Sequence, residues 1–388
     1  MYRLSSEQQK IVDRAKEISE KFIGPRAAQV DKDGTYPMES MKALAQEGFW
    51  GLNIASEFGG MGQGMRVMCA VLDEIAQKCA STAMCYKMHL SGMTAYSAAV
   101  NKPVDVLRAA AKGKHLTTLA WSEFGSRGHF WVPISQEQRR NGKIILNASK
   151  SMITTANDAD SYVVTTRWSE AKTQVDNMLY MVLKKDHGIS VPGVWDGLGM
   201  RGNDSAPLTL RDVTIGEDRA LCEPGKGLDM MLNVVLPVFA LGNAAISIGI
   251  AEAAVKATHF HITSGKFQHL NQRLADIPLE RARLAQIRIE TDRARAHLSA
   301  ALDTVENPGP TTLLMVLESK AAAAETAIRV TDIALLASGG RGFSRNLSGN
   351  LGLERNFRDA RAAQVMGPSS DMIHELIGRA LCGMELFS

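Results

Sequence analysis

The chain has 388 residues, of which 45% are hydrophobic, 22% are charged and 12 are proline, a composition that argues against a long disordered portion. Its 44 basic and 41 acidic residues leave a net charge of +3 without a long basic cluster, which argues against nucleic-acid binding. The N-terminal sequence lacks the apolar core of a signal peptide, and no segment offers about 18 uncharged apolar residues in a row. We therefore expect a cytoplasmic protein with no membrane span.

The first part of the chain, residues 1–115, is predicted to be an α-helical domain. Ser6 and Gln9 have the spacing of a helix-capping box, and Ile11 and Ala15 begin an apolar repeat at helical intervals. Helical periodicity continues through MESMKALAQEGFW, MRVMCAVLDEIAQKC and STAMCYKMHLSGMTAYSAAV.

Residues 116–226 are predicted to form a mainly antiparallel β domain. The dipeptide Asn141-Gly142 stands between two extended segments, which is a strong hairpin signal. The β-rich runs SYVVTTRW, MLYMVLKK and APLTLRDVTI follow, and no helix long enough for a parallel crossover lies between them.

Residues 227–388 are rich in alanine and are predicted to form a helical bundle. The helical stretches are long and have a wide apolar face, which indicates surface left over for partner subunits. The three parts together predict an α+β fold with an N-terminal helical domain, a middle antiparallel β domain and a C-terminal helical bundle.

The five cysteines show neither disulfide nor metal-site spacing. Their number is odd, and no CxxC or Cys/His pattern occurs, so we expect reduced, mostly buried thiols and no metal site. They are Cys69, Cys79, Cys85, Cys222 and Cys382.

Glycine-rich stretches alone do not define the chemistry, because neither EFGGMGQGM nor ASGGRGFSR follows a strand in a βαβ unit. The order of six motifs over nearly the whole chain is more specific, and it resembles the acyl-CoA dehydrogenase superfamily of FAD enzymes. The motifs are EFGGMG, LAWSEFGSRGH, KSMITTANDADSY, GLGMRG, SGGRGFSR and ERNFRDARAAQV.

The resemblance implies how the flavin ring would be held. The segment AWSEFGS matches the one that supplies main-chain and hydroxyl hydrogen bonds to the ring, and such donors stabilise charge on a reduced flavin. SMITT matches the second flavin contact, with Thr154 near the flavin N5 and Met152 in place of a usual tryptophan. The ring contacts implied in the first segment are Trp121, Ser122, Gly125 and Ser126.

The resemblance also implies contacts to the phosphates and adenine, often across a subunit interface. Ser369 and Asp371 match polar positions at the start of the final helix. His261 stands where the family has an arginine of an RxxFG motif, which removes a permanent charge beside the pyrophosphate. The glycines that would let the backbone approach the dinucleotide are Gly339, Gly340 and Gly342.

The match weakens at the positions of the reaction chemistry. Removing hydrogens from an acyl thioester requires a base for the α proton, commonly a glutamate after an aromatic residue in the loop following RDA. Aligning RDARAAQVM places Gly367 there, after Met366, while the second location used by some members falls on Phe239. Neither Gly367 nor Phe239 can accept a proton.

Polar contacts to the substrate are also missing. Ala240 and Pro237 stand where an arginine and a nearby acid usually help to hold the thioester and CoA. Gly128 stands where a serine often contacts the thioester. These departures predict a substrate pocket that differs from the usual acyl-CoA site.

Several other side chains are candidates for the missing base. Asp371 matches a position that faces flavin, and Glu123 has the character of a structural carboxylate. The helix STAMCYKMHLSG matches a segment that lines the acyl pocket in relatives and carries Tyr86, Lys87 and His89. Because histidine titrates near neutral pH, His89 is the predicted base, with a packing or solvent-facing role as the alternative.

Three functions remain open. The first is an FAD-dependent dehydrogenase acting on an acyl thioester or related activated acid with a non-standard base. The second is a flavin-dependent monooxygenase or N-hydroxylase using exchangeable reduced flavin, or a desulfinase-type lyase. The third is a catalytically silent flavoprotein. The resemblance further implies a homotetramer built as a dimer of dimers, a small-molecule substrate, and an electron-transfer flavoprotein or flavin reductase as partner.

Overall fold

A computed structural model describes residues 2–347 and 351–386 of the chain. Six helices form its first part. Ser5 caps the first of them by accepting a hydrogen bond from the Gln8 amide, while the Gln8 side chain accepts one from the Ser5 amide. The predicted pair Ser6 and Gln9 is wrong by one residue, because Ser5-Ser6 and Gln8-Gln9 offer the same spacing in two registers. The helices are α1 (Ser6–Ile18), α2 (Gly24–Asp33), α3 (Met38–Gln46), α4 (Met65–Ala76), α5 (Ala80–Ala98) and α6 (Val104–Ala111).

Two small sheets form the middle part. One has the strand order β1-β4-β5 and the other β2-β3-β7-β6. The strands are β1 (Thr117–Ala120), β2 (Gln138–Arg140), β3 (Lys143–Ile153), β4 (Ser161–Arg167), β5 (Asn177–Leu183), β6 (Ile189–Ser190) and β7 (Ala206–Ile215).

The predicted hairpin joins β2 to β3, and Asn141 and Gly142 adopt the left-handed φ values of 51° and 67° that a tight hairpin turn requires. Pairing is antiparallel as expected, except between β1 and β4, which run parallel. This exception arises because the chain between β1 and β4 passes through the second sheet instead of a crossover helix.

The third part is a helical bundle centred on one apolar helix. The helices are α7 (Gly227–Met230), α8 (Leu236–Ser264), α9 (Pro278–Glu306), α10 (Thr312–Phe343), α11 (Leu353–Asp359), α12 (Ala362–Val365) and α13 (Ser370–Leu381), with a hairpin of β8 (Lys266–Phe267) and β9 (Gln272–Arg273) after α8. Helix α8 packs against α4, α5, α9 and α10. The segment Gly227–Ser264 is apolar enough to cross a membrane, but 83% of its most apolar window is buried, as in the core helix of a soluble protein.

The close approach of α5 and α8 depends on a glycine. A Cβ atom on Gly242 would lie 2.7 Å from the Cγ atom of Lys87, so a larger residue would push the two helices apart. This contact brings the α5 segment STAMCYKMHLSG, all twelve residues of which are buried, against the part of α8 that carries Phe239. Four of the five cysteines are buried free thiols, and Cys382 is exposed.

Candidate functional site

A cavity of about 310 Å³ lies between the middle sheets and the C-terminal helices. Its wall is built from the ends of β1 and β3, the loop 195–205, the start of α8 and the loop 361–368. Sheet ends and helix starts thus converge on one pocket, with a volume at the lower end of the range for small-molecule sites, about 300–1,000 Å³. The predicted site residues that line it are Trp121, Ser122, Met152, Thr154, Phe239, Met366 and Gly367.

The strand ends present polar and apolar groups to this cavity. The indole Nε1 of Trp121 is buried and has no acceptor among the residues described, and the same holds for the hydroxyl of Ser126 in the following loop. Thr154 is held by a 3.0 Å hydrogen bond between its hydroxyl and that of Ser205. Met152 is 70% exposed although it lies in β3, and its φ of 53° is one that side chains with a Cβ rarely adopt. The strain at Met152 therefore lies at the cavity wall.

A buried ion pair supports the loop after Trp121. The Glu123 carboxylate accepts hydrogen bonds from the Lys150 ammonium at 2.7 Å and from the Ile134 and Ser135 amides. Burial acts to raise the pKa of Glu123, but Lys150 and these hydrogen bonds outweigh it and hold the pKa below the usual range. Glu123 therefore has the structural role that the sequence favoured. Gly125 and Gly128 belong to the same loop without lining the cavity.

The cavity wall lacks a proton acceptor among its described residues. The only ionisable side chains there belong to Arg358 and Arg361, and a guanidinium group is a hydrogen-bond donor and not an acceptor. Arg358 forms an ion pair with Asp31 at 2.6 Å. Among the residues described, the only side-chain partner of Arg361 is the Phe357 ring, whose centroid lies 4.4 Å from the guanidinium. Arg361 was not among the site residues predicted from the sequence, although it is the second arginine of the motif RDAR. It places a positive charge at the cavity without a carboxylate to neutralise it.

His89 is not suited to act as the predicted base. It is fully buried and outside the cavity wall, and both ring nitrogens are engaged by main chain: Nε2 lies 2.9 Å from the Trp50 carbonyl and Nδ1 accepts from the Thr117 amide at 3.2 Å. These partners assign the proton to Nε2. Burial lowers the pKa of His89 to about 4. The packing alternative therefore describes His89, whose role is to join α5 to β1.

Tyr86, Lys87 and Ala240 lie behind the cavity wall and not in it. Ala240 is fully buried, and the Tyr86 hydroxyl donates to the Phe49 carbonyl at 2.7 Å, so both serve packing. Lys87 is also fully buried, yet its Nζ atom has no hydrogen-bond partner among the described residues and lies 3.5 Å from the centroid of the Phe239 ring. Burial, reinforced by the charge of Lys320, holds the pKa of Lys87 well below its usual range.

A second buried lysine holds the loop that carries Gly367. The Nζ atom of Lys320 in α10 donates to the carbonyls of Ala363, Met366 and Pro368 at 2.9, 3.0 and 2.7 Å. Burial lowers the pKa of Lys320 to about 7. Lys320 is the single lysine of an alanine-rich helix, and it belongs to none of the six motifs.

The residues predicted to contact phosphates and adenine lie outside the cavity wall. His261 is in the last turn of α8, with its Nδ1 lacking a partner among the residues described, and the pKa of its ring is lowered by burial and by the charge of Arg341. Arg341 belongs to the glycine segment of α10, where Gly339 (φ 53°, ψ −145°) breaks the helix and both Gly339 and Gly340 leave the backbone open to solvent. Gly342 is instead buried against Ser338, where a Cβ atom would clash at 2.6 Å.

The start of the final helix has a different arrangement. The Ser369 hydroxyl caps α13 by accepting from the Met372 amide at 3.4 Å, while Asp371 is exposed in the first turn. The next hydroxyl, that of Ser370, is buried without a partner among the described residues.

Comparison with known proteins covers nearly the whole chain. Residues 5–102 match the family model for the acyl-CoA dehydrogenase N-terminal domain, residues 118–213 the middle domain and residues 225–382 the C-terminal domain. Among curated proteins, a probable acyl-CoA dehydrogenase, YngJ, of Bacillus subtilis is 25% identical over 98% of this chain and 99% of its own.

Solved structures show the same fold. Butyryl-CoA dehydrogenase from Megasphaera elsdenii superposes with a TM-score of 0.91 at 22% identity, covering 98% of this chain and 99% of that one. FMN-bound TdsC from Paenibacillus sp. A11-2 superposes with a TM-score of 0.86 at 21% identity, covering 98% of this chain and 100% of that one.

Proposed function

Since the chain belongs to the acyl-CoA dehydrogenase family of flavin-dependent oxidoreductases, we propose that it removes hydrogens from the α and β carbons of an acyl thioester or related activated acid without the usual glutamate base. The observation that carries this proposal is a single cavity that joins the flavin segments at Trp121 and Thr154 to Phe239, Met366 and Gly367. A flavin ring and an acyl chain bound in this one pocket would lie side by side.

The residues at the cavity fit a flavin. A flat heteroaromatic ring has acceptors along its edge and two apolar faces. The buried Nε1 of Trp121 at the cavity wall is a donor that lacks an acceptor among the described residues, and so is the hydroxyl of Ser126 in the adjoining loop, outside the wall. Thr154 and Ser122 offer further hydroxyl groups at the wall, and Met152 an apolar surface. When bound, the flavin supplies the acceptor for the β hydride.

The remaining wall residues orient the substrate and exclude water. Phe239, Met366 and Leu236 offer an apolar surface to an acyl chain, while the unneutralised guanidinium of Arg361 attracts an anionic group or a polarised carbonyl. Replacement of water by this surface strengthens electrostatic interactions with the reacting carbonyl. The proton acceptor lies outside this set of wall residues.

A second candidate function is a flavin-dependent monooxygenase, N-hydroxylase or desulfinase-type lyase using exchangeable reduced flavin. It is favoured by the absence of Asp, Glu, His and Lys from the cavity wall in the described part of the chain. Chemistry at oxygen activated by reduced flavin does not require a carboxylate at Gly367.

Assembly and partners follow from the family resemblance. We propose a cytoplasmic homotetramer, arranged as a dimer of dimers, that exchanges electrons with an electron-transfer flavoprotein or a flavin reductase. Exposed apolar side chains on the C-terminal helices, including Leu336, Phe343 and Val365, support burial of this surface between subunits.

The deciding experiment is anaerobic mixing of the flavin-loaded protein with a panel of acyl-CoA esters while flavin absorbance is recorded. Bleaching by any member supports dehydrogenation. Absence of bleaching, together with substrate-dependent oxygen consumption once reduced flavin is supplied, would establish the second function instead. If neither signal occurs, the protein is the catalytically silent flavoprotein.

A further inference from the structure

The amine of Lys87 is an unusual group to find behind a cavity wall. An uncompensated charge in the interior is costly, and buried lysines are normally paired or hydrogen-bonded. Lys87 is fully buried, its Nζ atom has no hydrogen-bond partner in the described part of the chain, and the neighbouring charge that affects it most is another cation, Lys320. These conditions favour the neutral amine, whose nitrogen carries a lone pair.

The Phe239 ring contacts this amine and also forms part of the cavity wall. Phe239 lines the cavity, and the face of its ring is 3.5 Å from the Nζ atom. Met88, the residue after Lys87, is itself part of the wall. Rotation of an aromatic side chain on a cavity wall is a small local motion, in contrast to the helix movement that would be needed to expose a group deep in the core.

We propose that Lys87 is the proton acceptor of this enzyme, reached by the substrate when the Phe239 ring turns aside. The inference rests on the proposed function, since it requires an activated acid with an acidic α proton. In the step, the C–H bond next to the carbonyl breaks and its proton forms an N–H bond with the Lys87 lone pair. The electron pair stays on the substrate, delocalised onto the carbonyl oxygen, so the transfer itself needs no oxidant.

The surroundings of Lys87 suit a proton that is taken up and then released. The ammonium ion that forms is stabilised by the negative charge of the deprotonated substrate, and the face of the Phe239 ring attracts it when the ring turns back. Once product has left, burial and the charge of Lys320 again disfavour the ammonium ion. Tyr86 and His89, on the same helix, have their polar atoms committed to main chain and cannot substitute.

Proton removal can be measured apart from oxidation with phenylacetyl-CoA, which has α hydrogens and no oxidisable β hydrogen. The flavin-loaded protein is incubated with this thioester in D2O, and loss of the α-CH2 signal is followed by NMR. We expect exchange in the wild-type protein and a loss of about 100-fold or more in Lys87→Met, the range usual for removal of a general base. Lys42→Met, the same change at an exposed lysine, is the matched control.

Lys87→Arg separates proton acceptance from charge. Arginine carries a fixed positive charge and cannot deprotonate at neutral pH, so Lys87→Arg should lose exchange as Lys87→Met does. Exchange retained in Lys87→Arg would show that a fixed positive charge suffices, for example to bind an anionic substrate group, and would overturn the proposal. Retention in Lys87→Met, or absence of exchange in the wild-type protein, would overturn it as well.

Access through Phe239 has its own readout, independent of turnover. Reductive methylation with formaldehyde and cyanoborohydride, mapped by peptide mass spectrometry, should label Lys87 several-fold faster in Phe239→Ala than in the wild-type protein. Equal labelling would contradict the role given to the ring. Flavin absorbance and circular dichroism verify that each variant is folded.

The two proposals fail in distinguishable ways. Bleaching of flavin by an acyl-CoA that persists in Lys87→Met contradicts the role of Lys87 and leaves dehydrogenation standing. Exchange that depends on Lys87, without bleaching by any member of the panel, supports Lys87 and contradicts dehydrogenation.

Discussion

A Cβ atom on Gly367 would lie 3.3 Å from the carbonyl oxygen of Gly128. The two glycines, which the resemblance places at the positions of the usual glutamate and the usual thioester-contacting serine, therefore lie close to each other, with Gly367 in the cavity wall. This arrangement leaves room for a side chain at position 367 if the loop after Trp121 yields by a few tenths of an ångström, and Gly367 does not have a left-handed φ that would strain one.

Gly367→Glu should therefore fold and place a carboxylate at the cavity. We expect acyl-CoA esters to bleach the flavin faster in this variant than in the wild-type protein, by about 100-fold or more if proton removal limits the rate. Stopped-flow absorbance under anaerobic conditions measures this. Gly367→Gln has the same shape without a basic group and should show no gain; an equal gain would mean that packing, and not proton transfer, changed.

Lys320→Met should destabilise the protein by about 3 kcal/mol, because it leaves buried carbonyls without their donor. Those carbonyls belong to Ala363, Met366 and Pro368. Urea denaturation gives the free energy of unfolding, and amide hydrogen exchange should increase in residues 363–367. Lys42→Met provides the same substitution on the surface. A Lys320→Met variant as stable as the control would mean that these hydrogen bonds contribute little.

Acid should destabilise the wild-type protein through His89. Its folded pKa is about 4, below the ordinary 6.5, so the unfolded state binds more protons between these values. The stabilising contribution is present above about pH 6.5 and is lost as the pH falls toward 4, amounting to at most about 3 kcal/mol. Between pH 7 and pH 4.5 the free energy of unfolding should fall less in His89→Gln than in the wild-type protein. Parallel curves for the two proteins would be inconsistent with a buried, neutral His89.

Arg341→Ala should weaken FAD binding about tenfold or more, the size expected for loss of a charge-assisted contact. Arg341 lies close enough to His261 to lower the pKa of that ring, so it can supply the positive charge that His261 lacks at neutral pH. Fluorescence titration of the flavin-free protein with FAD and with FMN separates this role from general damage. A pyrophosphate contact predicts that FAD binding suffers more than FMN binding; equal losses would contradict it.

Much of the fold was predictable because it depends on local pattern. Apolar residues at helical spacing, the hairpin dipeptide Asn141-Gly142 and the order of six motifs identified the α+β fold and its family, and these signals need no long-range contact. The parallel pairing of β1 with β4 was not predictable in this way, because strand order depends on how the chain passes between two sheets.

Residue type alone shows that neither Gly367 nor Phe239 can accept a proton. The difference between Lys87 and His89, which are neighbours on one helix, depends on their contacts in the folded protein. Packing against Trp50 and Thr117 satisfies both nitrogens of His89, whereas packing against Phe239 and Gly242 leaves the Lys87 amine without a hydrogen bond to any described residue. Reactivity depends on whether a polar group is satisfied, and that is a property of three-dimensional contacts.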